Sequence, residues 1–361
     1  MITSCVDGGT NLDSGFHPNF SLLYSAKDKD VVKVGKNKVL EEYYNFNLQE
    51  LMRINLEDDR YRISRFEDVM ILEDKILILD NRINEVHNIS FSGEVNKPVA
   101  ISGRGPGELV EPTNMMRFSG SYFIADRVNG IHYFSDKNDS LLFTKKIEIL
   151  PEYVCQLDSN RFITKASYLI PDGYTEAANS TVFEVDEVGV VYQEFTPRYK
   201  HQSNMLIFNM TNGPMICSDS KGLIINSYSS GIPVVEVYDT NNNTKSIYNF
   251  IDINPFLVEY SNNNLSPAAK NYGSIYHNFR SINLLHERYL IVQYREVDRP
   301  KDPELEYEYS ILSYIIDLNS DETYYTYALP EIFASSDEKM FYRYPSNSNE
   351  LILSSFELSE K

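Results

Sequence analysis

The sequence of 361 residues has no tryptophan and only three cysteines, Cys5, Cys155 and Cys217. The absence of tryptophan excludes the Trp-Asp dipeptide that marks WD40 repeats. Three cysteines are too few for a disulfide scaffold, and their spacing is not that of a zinc site. No apolar run reaches the length of about 18 residues that a membrane-spanning helix needs. We therefore expect a globular chain without a transmembrane helix.

Basic residues are outnumbered by acidic ones, 33 to 52, and the net charge is −19. Binding to phosphate backbones depends on lysine and arginine, so we expect no nucleic-acid partner. Aromatic residues, in contrast, make up 13% of the chain, with 27 tyrosines and 19 phenylalanines. Together with short runs of valine, isoleucine and threonine, this composition favours pleated surfaces and predicts an all-β fold.

One pattern, a short apolar strand, a tight polar turn and a second, strongly apolar strand, recurs six times. The paired segments are 69–72 with 76–80, 115–118 with 122–126, 153–157 with 162–164, 215–217 with 223–226, 282–285 with 289–293, and 340–344 with 351–354. Two further strand signals follow the pairs, except the sixth, which ends at Lys361. Four strands per unit, joined by turns rich in Asn, Asp, Gly and Ser, predict the blades of a β-propeller.

The two ends of the chain predict how such a ring closes. The sixth unit begins near Glu338 and offers only two strands, whereas segments 31–34 and 51–54 are strand signals that precede the first complete unit. Joining these ends would remove exposed sheet edges. We therefore predict a six-bladed β-propeller with four-stranded antiparallel blades, closed by N-terminal strands and forming one domain over residues 26–361.

Cys5 stands apart from the other two cysteines. The preceding Ile2-Thr3-Ser4 resembles the end of a bacterial lipobox, in which small residues precede a cysteine that becomes lipidated. A polar, glycine-rich stretch follows, so residues 1–25 are predicted to be a lipoprotein tether. Lipid chains on Cys5 would be the only membrane contact of the protein.

Cys155 and Cys217 lie in apolar, strand-like runs at equivalent places in neighbouring repeats. A thiol in such a run usually packs as a small hydrophobic group, so the sequence favours two unpaired core cysteines. Their equivalent positions leave a bridge between Cys155 and Cys217 open as the alternative.

The segment 101–108, which contains Gly103-Arg104-Gly105-Pro106-Gly107-Glu108, is the most specific motif of the chain. With Pro112 and the strands ending in Asp80 and Asp126, it resembles the 6-bladed β-propeller lipoproteins of Gram-negative gut bacteria, distant relatives of NHL-repeat propellers. The resemblance is good over residues 65–145 and only architectural beyond them. It implies an exported protein, lipid-anchored in the cell envelope on a periplasmic or outer-membrane face. It carries over no catalytic residues.

The same segment is the first candidate site. It lacks the Gly-Lys-Ser/Thr of a phosphate-binding loop, so we favour a rigid connection between blades, with ligand contact by Arg104 or Glu108 as the alternative. In a propeller this connection shares a face with the loops after each second strand. The candidate ligand-binding residues on that face are Asp80, Arg82, Arg104, Glu108, Asp126 and Arg127, with Asn81 beside them. These side chains also suit ordinary turns and surface ion pairs.

The leading functional hypothesis is a non-catalytic binding or scaffolding module for an unidentified protein, polar small molecule or carbohydrate, because no catalytic constellation is evident. One rival is a propeller lactonase, hydrolase or lyase, with a divalent cation such as calcium held in the channel by Asp80, Asp126 and Gln293. Another is carbohydrate capture by aromatic side chains, which the absence of tryptophan weakens. No cofactor, catalytic residue or metal-binding residue is assigned. His87 and His132, at matched repeat positions, are expected to pack within blades.

Overall fold

The computed structural model describes residues 31–146, 151–156, 158, 160–166, 182–195, 213–218, 222–228, 233–253, 259–261, 264–268, 275–298, 308–336, 338–345 and 348–361. Apart from one two-stranded hairpin, its strands form six sheets that succeed one another along the chain. This is the all-β, six-bladed propeller predicted from the repeats. Within the described ranges, no helix has the length and apolar character needed to cross a bilayer.

The N-terminal segment and the first three blades supply the first half of the strands. The N-terminal segment contains β1 (Val31–Val34), helix α1 (Leu40–Tyr43) and β2 (Tyr44–Asn55). Blade 1 consists of β3 (Asp68–Ile71), β4 (Lys75–Asp80) and β5 (Glu85–Ser90). Blade 2 consists of β6 (Pro112–Phe118), β7 (Ser121–Asp126), β8 (Gly130–Ser135) and β9 (Leu141–Lys145). Blade 3 consists of β10 (Pro151–Gln156), β11 (Arg161–Ala166), β12 (Val182–Asp186) and β13 (Val191–Glu194).

The remaining blades follow in chain order. Blade 4 consists of β14 (Met215–Ser218), β15 (Leu223–Ser227), β16 (Val234–Asp239) and β17 (Thr244–Phe250). A hairpin of β18 (Glu259–Ser261) and β19 (Asn264–Ala268) lies in the connection to the next blade. Blade 5 consists of β20 (Ile275–Leu285), β21 (Tyr289–Asp298), β22 (Glu308–Asp317) and β23 (Glu322–Thr326). Blade 6 consists of β24 (Glu331–Ser335), β25 (Lys339–Arg343), β26 (Glu350–Glu360) and the N-terminal β2.

The core lies between the blades. The described residues form six clusters of buried apolar side chains, and each cluster joins two neighbouring blades. In the cluster between blades 6 and 1, for example, Ile54 and Leu353 pack with Ile76 and Ile78. Because burial of apolar area is the main stabilising term, each blade depends on both neighbours, and we expect the closed ring to unfold as one cooperative unit.

Ring closure uses one N-terminal strand and not two. β2 pairs antiparallel with β26 along almost its whole length, from Tyr44 opposite Glu360 to Asn55 opposite Glu350. It thereby becomes the outer strand of blade 6. β1, also predicted to close the ring, pairs instead in parallel with β17 at the edge of blade 4, with Val31 opposite Ile247. The N-terminal segment therefore spans the outer edges of blades 4, 5 and 6, and it reaches blade 5 through a bridge from Val39 to Tyr325.

The predicted start of the sixth repeat was wrong by one strand. Segments 340–344 and 351–354 were expected to be first and second strands, but they belong to β25 and β26, the second and third. The inner strand β24 was missed because a register shift between Ile332 and Ala334 breaks its alternation of buried and exposed side chains. The second and third strands are buried on both faces, so they give the strongest hydrophobic signal.

Blade 1 lacks a regular fourth strand. Segment 98–101, one of the two strand signals that follow the first repeat pair, was expected to form it. This part of the chain instead runs beside β5 with isolated bridges from Ala100 to Val86 and from Val95 to Ile89, and with single backbone hydrogen bonds such as that from the Asn96 amide to the Asn88 carbonyl. Since the edge of this blade is irregular, it offers a poor template for pairing with another chain.

Cys155 and Cys217 form a disulfide, so the favoured prediction of two unpaired core thiols was wrong. The bridge joins β10 to β14, the inner strands of blades 3 and 4, across 62 residues of sequence. The alternative drawn from their equivalent repeat positions is the correct one. Cys155 remains buried, so the sulfur atoms also contribute to the cluster between these blades.

Candidate ligand-binding mouth of the central channel

The six inner strands line a central cavity of about 660 Å³. Loops that follow the second strands, at 81–84 and 127–129, and the connections between blades lie on the same side of the ring, which we call the upper face. A second cavity of about 320 Å³ opens there between blades 1, 2 and 3. Glu67 and Tyr153 line both cavities, so the two adjoin. We call the smaller cavity, together with the upper end of the larger one, the upper mouth.

Bulges in the inner strands turn specific side chains toward this mouth. The pairing of inner and second strands shifts register at residue 113 in blade 2, 152 in blade 3, 280 in blade 5 and 333 in blade 6. Bulges bend a strand and redirect a side chain, and they are common next to functional sites. Thr113 lines the smaller cavity, and Arg280 and Phe333 line the larger one.

An arginine group lies where blades 5 and 6 meet the mouth. The Arg280 Nε donates a hydrogen bond of 2.6 Å to Glu331 Oε1, and the Arg295 Nη2 lies 3.6 Å from the same oxygen. Arg343 is the register partner of Glu331 on the next strand and places its guanidinium over the Phe333 ring. Burial lowers the pKa of Arg295, and the like charges of Arg280 and Arg343 act in the same direction. Positive charge is therefore concentrated on this side.

The part of the mouth formed by blades 1 and 3 carries acidic side chains. Burial raises the pKa of Glu67, whose carboxylate accepts a hydrogen bond from Asn81. Burial also raises the pKa of Asp68 to about 7, against hydrogen bonds from the amides of Met115 and Val69 that favour the charged form. Burial, with the charges of Glu67 and Asp68, raises the pKa of Tyr153. Asp68 is thus partly protonated near neutral pH.

A stacked pair of phenylalanines lies at the wall between the two sides. The ring centroids of Phe66 and Phe333 are 5.4 Å apart with an interplanar angle of 24°. Both rings line the larger cavity. They give the mouth an apolar face beside the Arg280 guanidinium, which suits a ligand that combines a flat ring with a polar or charged group.

Asp80 and Asp126, two of the predicted ligand-binding residues, are buried and accept hydrogen bonds from the backbone. Asp80 accepts from the amides of Ser64 and Arg65, 16 and 15 residues earlier. Asp126 accepts from residues at the same two offsets, Val110 and Glu111. Burial would raise the pKa of Asp80, but the hydrogen bonds together lower it. Each aspartate fixes the segment that enters its blade, and neither lines either of the two cavities described above.

Glu108 lies within its own loop. Its Oε2 accepts a 2.7 Å hydrogen bond from the Gly105 amide, and a Cβ atom at Gly103 would come within 2.0 Å of that oxygen. The Asn129 side chain donates to the carbonyls of Gly103 and Glu108 and ties the loop to blade 2. The loop is therefore tied to its own backbone and to blade 2, and a side chain at Gly103 would collide with the Glu108 carboxylate.

The three predicted arginines are separated on the upper face. Arg104 and Arg82 are exposed, and neither lines the mouth. Arg127 is half-buried and lines the smaller cavity together with Asn81. Of the six predicted ligand-binding residues, only Arg127 is thus brought to the mouth.

Gln293, considered as a cation ligand with Asp80 and Asp126, joins blade 5 to blade 6. Its amide accepts from the Ile332 amide at 2.8 Å and donates to the Pro330 carbonyl at 2.7 Å. Asp80, Asp126 and Gln293 do not line the channel cavity. Within the described residues, no group of three or more His, Cys, Asp or Glu side chains has the arrangement of a metal site.

The two matched histidines lie on the third strands of blades 1 and 2, as their repeat positions suggest. His132 contacts the Thr144 hydroxyl at 2.9 Å, and His87 Nδ1 lies 3.4 Å from Glu85. Burial lowers the pKa of both rings, which favours neutral imidazoles at pH 7. Neither histidine lines the mouth.

Sequence reasoning missed Arg280, Glu331 and the phenylalanine pair. Arg280 and Glu331 are 51 residues apart, and β24 was not recognised as a strand. Position 280 lies at a bulge of the inner strand, which has no sequence signature here. Correct placement of the sixth repeat would have put Glu331 at the upper end of an inner strand. That placement was the sequence signal from which Glu331 could have been found.

The fold and this mouth define a class, the six-bladed β-propeller with a partly polar central channel. A family model described as 6-bladed beta-propeller, DUF5128, matches residues 27–295. The match covers well over half of the chain, which therefore belongs to this family. No curated protein matches the chain.

Solved structures share the fold at low sequence identity. One is a candidate exported protein from Bacteroides fragilis, 11% identical, with a TM-score of 0.58 over 92% of this chain and 99% of that one. Another is a member of the DUF4221 family from Bacteroides vulgatus, 10% identical, with a TM-score of 0.55 over 88% of this chain and 99% of that one. At these identities the likeness shows the fold alone.

Proposed function

We propose that this protein is an exported, lipid-anchored binding propeller that holds a small polar ligand at its upper mouth and does not transform it. The observation that carries the proposal is the cavity of about 660 Å³ into which strand bulges turn Arg280 and Phe333. Small-molecule sites are commonly concave, of roughly 300–1,000 Å³, with apolar walls and a few placed polar groups. The mouth has these properties.

Export is supported by three separate features. The disulfide between Cys155 and Cys217 suits an oxidising compartment, because cytosolic thiols are usually kept reduced. One structural neighbour is described as a candidate exported protein. Cys5, outside the described residues, ends the lipobox-like sequence and precedes the predicted tether of residues 1–25.

Carbohydrate is a second candidate ligand, favoured by the stacked rings of Phe66 and Phe333 on the cavity wall. Aromatic rings bind the CH-rich faces of sugars through the same contacts that stack rings together. Under this alternative the protein would act as a glycan-binding accessory module of the envelope.

Ligand binding at the mouth is testable with a panel of small sugars, organic acids, nucleosides and dipeptides screened by thermal shift. We expect ligands found in this way to lose most of their affinity for the double variant Phe66→Ala/Phe333→Ala, because it removes the apolar wall. Tyr192→Ala is the matched control, since that ring lies 59% exposed on an outer strand. If every ligand bound the double variant as well as the native protein, the mouth would not be the site.

Lipid anchoring has its own test. Expressed with a complete signal sequence, the native protein should enter the detergent phase on Triton X-114 separation, and Cys5→Ala should move it to the aqueous phase. Lipid chains supply the membrane affinity in the proposal, so their loss removes it. Ser4→Ala keeps a small residue before the cysteine and should remain in the detergent phase. Retention of Cys5→Ala in the membrane would contradict the tether.

A further inference from the structure

Two guanidinium groups approach one carboxylate at the wall of the mouth, and a third arginine lies on the neighbouring strand. Arg280 and Arg295 both approach Glu331 Oε1, and Arg343 lies on the neighbouring strand in register with Glu331. The side chain of Glu331 is only 2% exposed. One buried carboxylate can neutralise one of these three cations, so the group keeps a formal excess of two positive charges. This excess occurs in a chain with a net charge of −19.

An inter-blade ion pair alone does not account for this group. Among the described residues, the Nε atoms of Arg295 and Arg343 are buried and have no hydrogen-bond acceptor, and Glu331 Oε2 has no donor. Buried charged groups are costly unless they are paired and hydrogen-bonded, and a simple strut between blades needs one arginine and one carboxylate. The additional arginines are therefore better explained by a role in binding an anion.

Access to this group is from the cavity. Arg280 and Glu331 line it, and the Arg280 side chain is 31% exposed. Arg295 and Arg343 lie behind them, stacked on Tyr309 at 4.3 Å and on Phe333 at 5.3 Å respectively. Glu331 fixes the plane of the Arg280 guanidinium, whose remaining N–H groups form a fork that matches the two oxygens of a carboxylate.

We infer that the ligand of the upper mouth is an organic carboxylate joined to a ring, either an aromatic acid or an acidic sugar. Its carboxylate oxygens bind the Arg280 guanidinium, the charges of Arg295 and Arg343 strengthen that contact, and its ring lies on Phe66 and Phe333. The inference rests on the proposed binding function and assigns the class of ligand to it.

The experiment uses two pairs of probes, benzoate with benzamide and D-glucuronate with D-glucose, titrated calorimetrically into the native protein at low salt. At least one acid should bind ten times or more tightly than its neutral partner. Raising the ionic strength to 1 M should weaken the binding of that acid and leave the binding of the neutral probe unchanged, because salt screens charge interactions. The pair that responds identifies the ring.

Variants locate the effect. Arg280→Gln should lower the affinity for the acid roughly tenfold to a hundredfold, the range for a lost charge-assisted hydrogen bond. Arg117→Gln, at an exposed arginine paired with Asp136 near the other end of an inner strand, should change nothing. Glu331→Gln keeps the shape but removes the competing charge, so it should tighten acid binding. A purely structural role of Glu331 would lower the melting temperature without tightening binding.

Two outcomes separate this inference from the proposed function. If neutral probes bind as well as acids, and Arg280→Gln has no effect while the Phe66 and Phe333 double variant still abolishes binding, the mouth binds a neutral ligand and the carboxylate inference is wrong. If neither acid binds the native protein, the inference is also wrong, and the proposed binding function is then tested by the ligand panel alone.

Discussion

Deleting residues 1–60 should make the protein aggregate or melt far below the native temperature, whereas deleting residues 1–30 should change its melting temperature little. The longer deletion removes β2, which pairs with β26 from Tyr44 to Asn55 and buries Tyr44, Met52 and Ile54. Burial of three such side chains contributes about 5–9 kcal/mol. Net stabilities of folded domains are about 5–15 kcal/mol, so the loss is comparable with the whole. The shorter deletion keeps every contact of β1 and β2.

An intermediate deletion and a pair of point variants separate the two strands. Removing residues 1–36 takes away β1 but leaves β2, so we expect a smaller loss of stability, mainly from the buried Val34 on blade 4. Ile54→Ala should cost about 2–5 kcal/mol, because its side chain is fully buried in the cluster between blades 6 and 1. Leu51→Ala, on the same strand but 43% exposed, should cost little. A monomeric 61–361 fragment with native melting would show that β2 does not hold the ring closed.

The architecture could be predicted because every propeller blade has the same strand order and the same pattern of burial. The second strand of each blade is buried on both faces, so its apolar run remains recognisable despite insertions. Shifts in strand register do not hide it. Blades 1 and 2 repeat even in their hydrogen bonds, since Asp80 and Asp126 bind amides at the same two offsets. Closure followed from the rule that a sheet edge must be paired or protected, although the rule did not say that β1 would lie on blade 4.

The mouth could not be predicted to the same degree. The conspicuous loop residue Glu108 binds its own backbone, and the polar side chains that end the second strands, Asp80 and Asp126, do the same for incoming connections. Sequence cannot distinguish a carboxylate that holds a turn from one that faces a ligand, because both occur in loops beside glycines. The residues that do face the channel are set by bulges, which depend on tertiary packing.

A buried lysine between blades 3 and 4 should make stability depend on pH in a way that one substitution removes. Lys165, on β11, is 2% exposed, and burial lowers its pKa from 10.5 to about 7. Its Nζ donates to the carbonyls of Gly213 at 2.6 Å and Ser227 at 2.9 Å. Two donated hydrogen bonds match the two N–H groups of a neutral amine. Among the described residues, no carboxylate contacts the Nζ; the nearest aromatic partner is Tyr228, whose hydroxyl donates to Glu236.

The direction of the pH dependence follows from the number of protons that the folded and unfolded states bind. Between pH 7 and 10.5 the unfolded chain holds a proton on Lys165 and the folded protein does not, so stability falls as pH decreases through this window, by about 1.4 kcal/mol per pH unit. The native protein should therefore gain roughly 2–3 kcal/mol relative to Lys165→Met when urea unfolding is measured at pH 9.5 instead of 7.5. Lys165→Met should also be the more stable protein at pH 7.5, because it buries no ionisable group, less the cost of two carbonyls that lose their donor. Lys97→Met, at an exposed lysine on blade 1, should follow the native protein at both pH values. Equal pH dependence of Lys165→Met and the native protein would mean that Lys165 keeps its charge in the folded state, and a buried anionic partner would then have to be sought beside it.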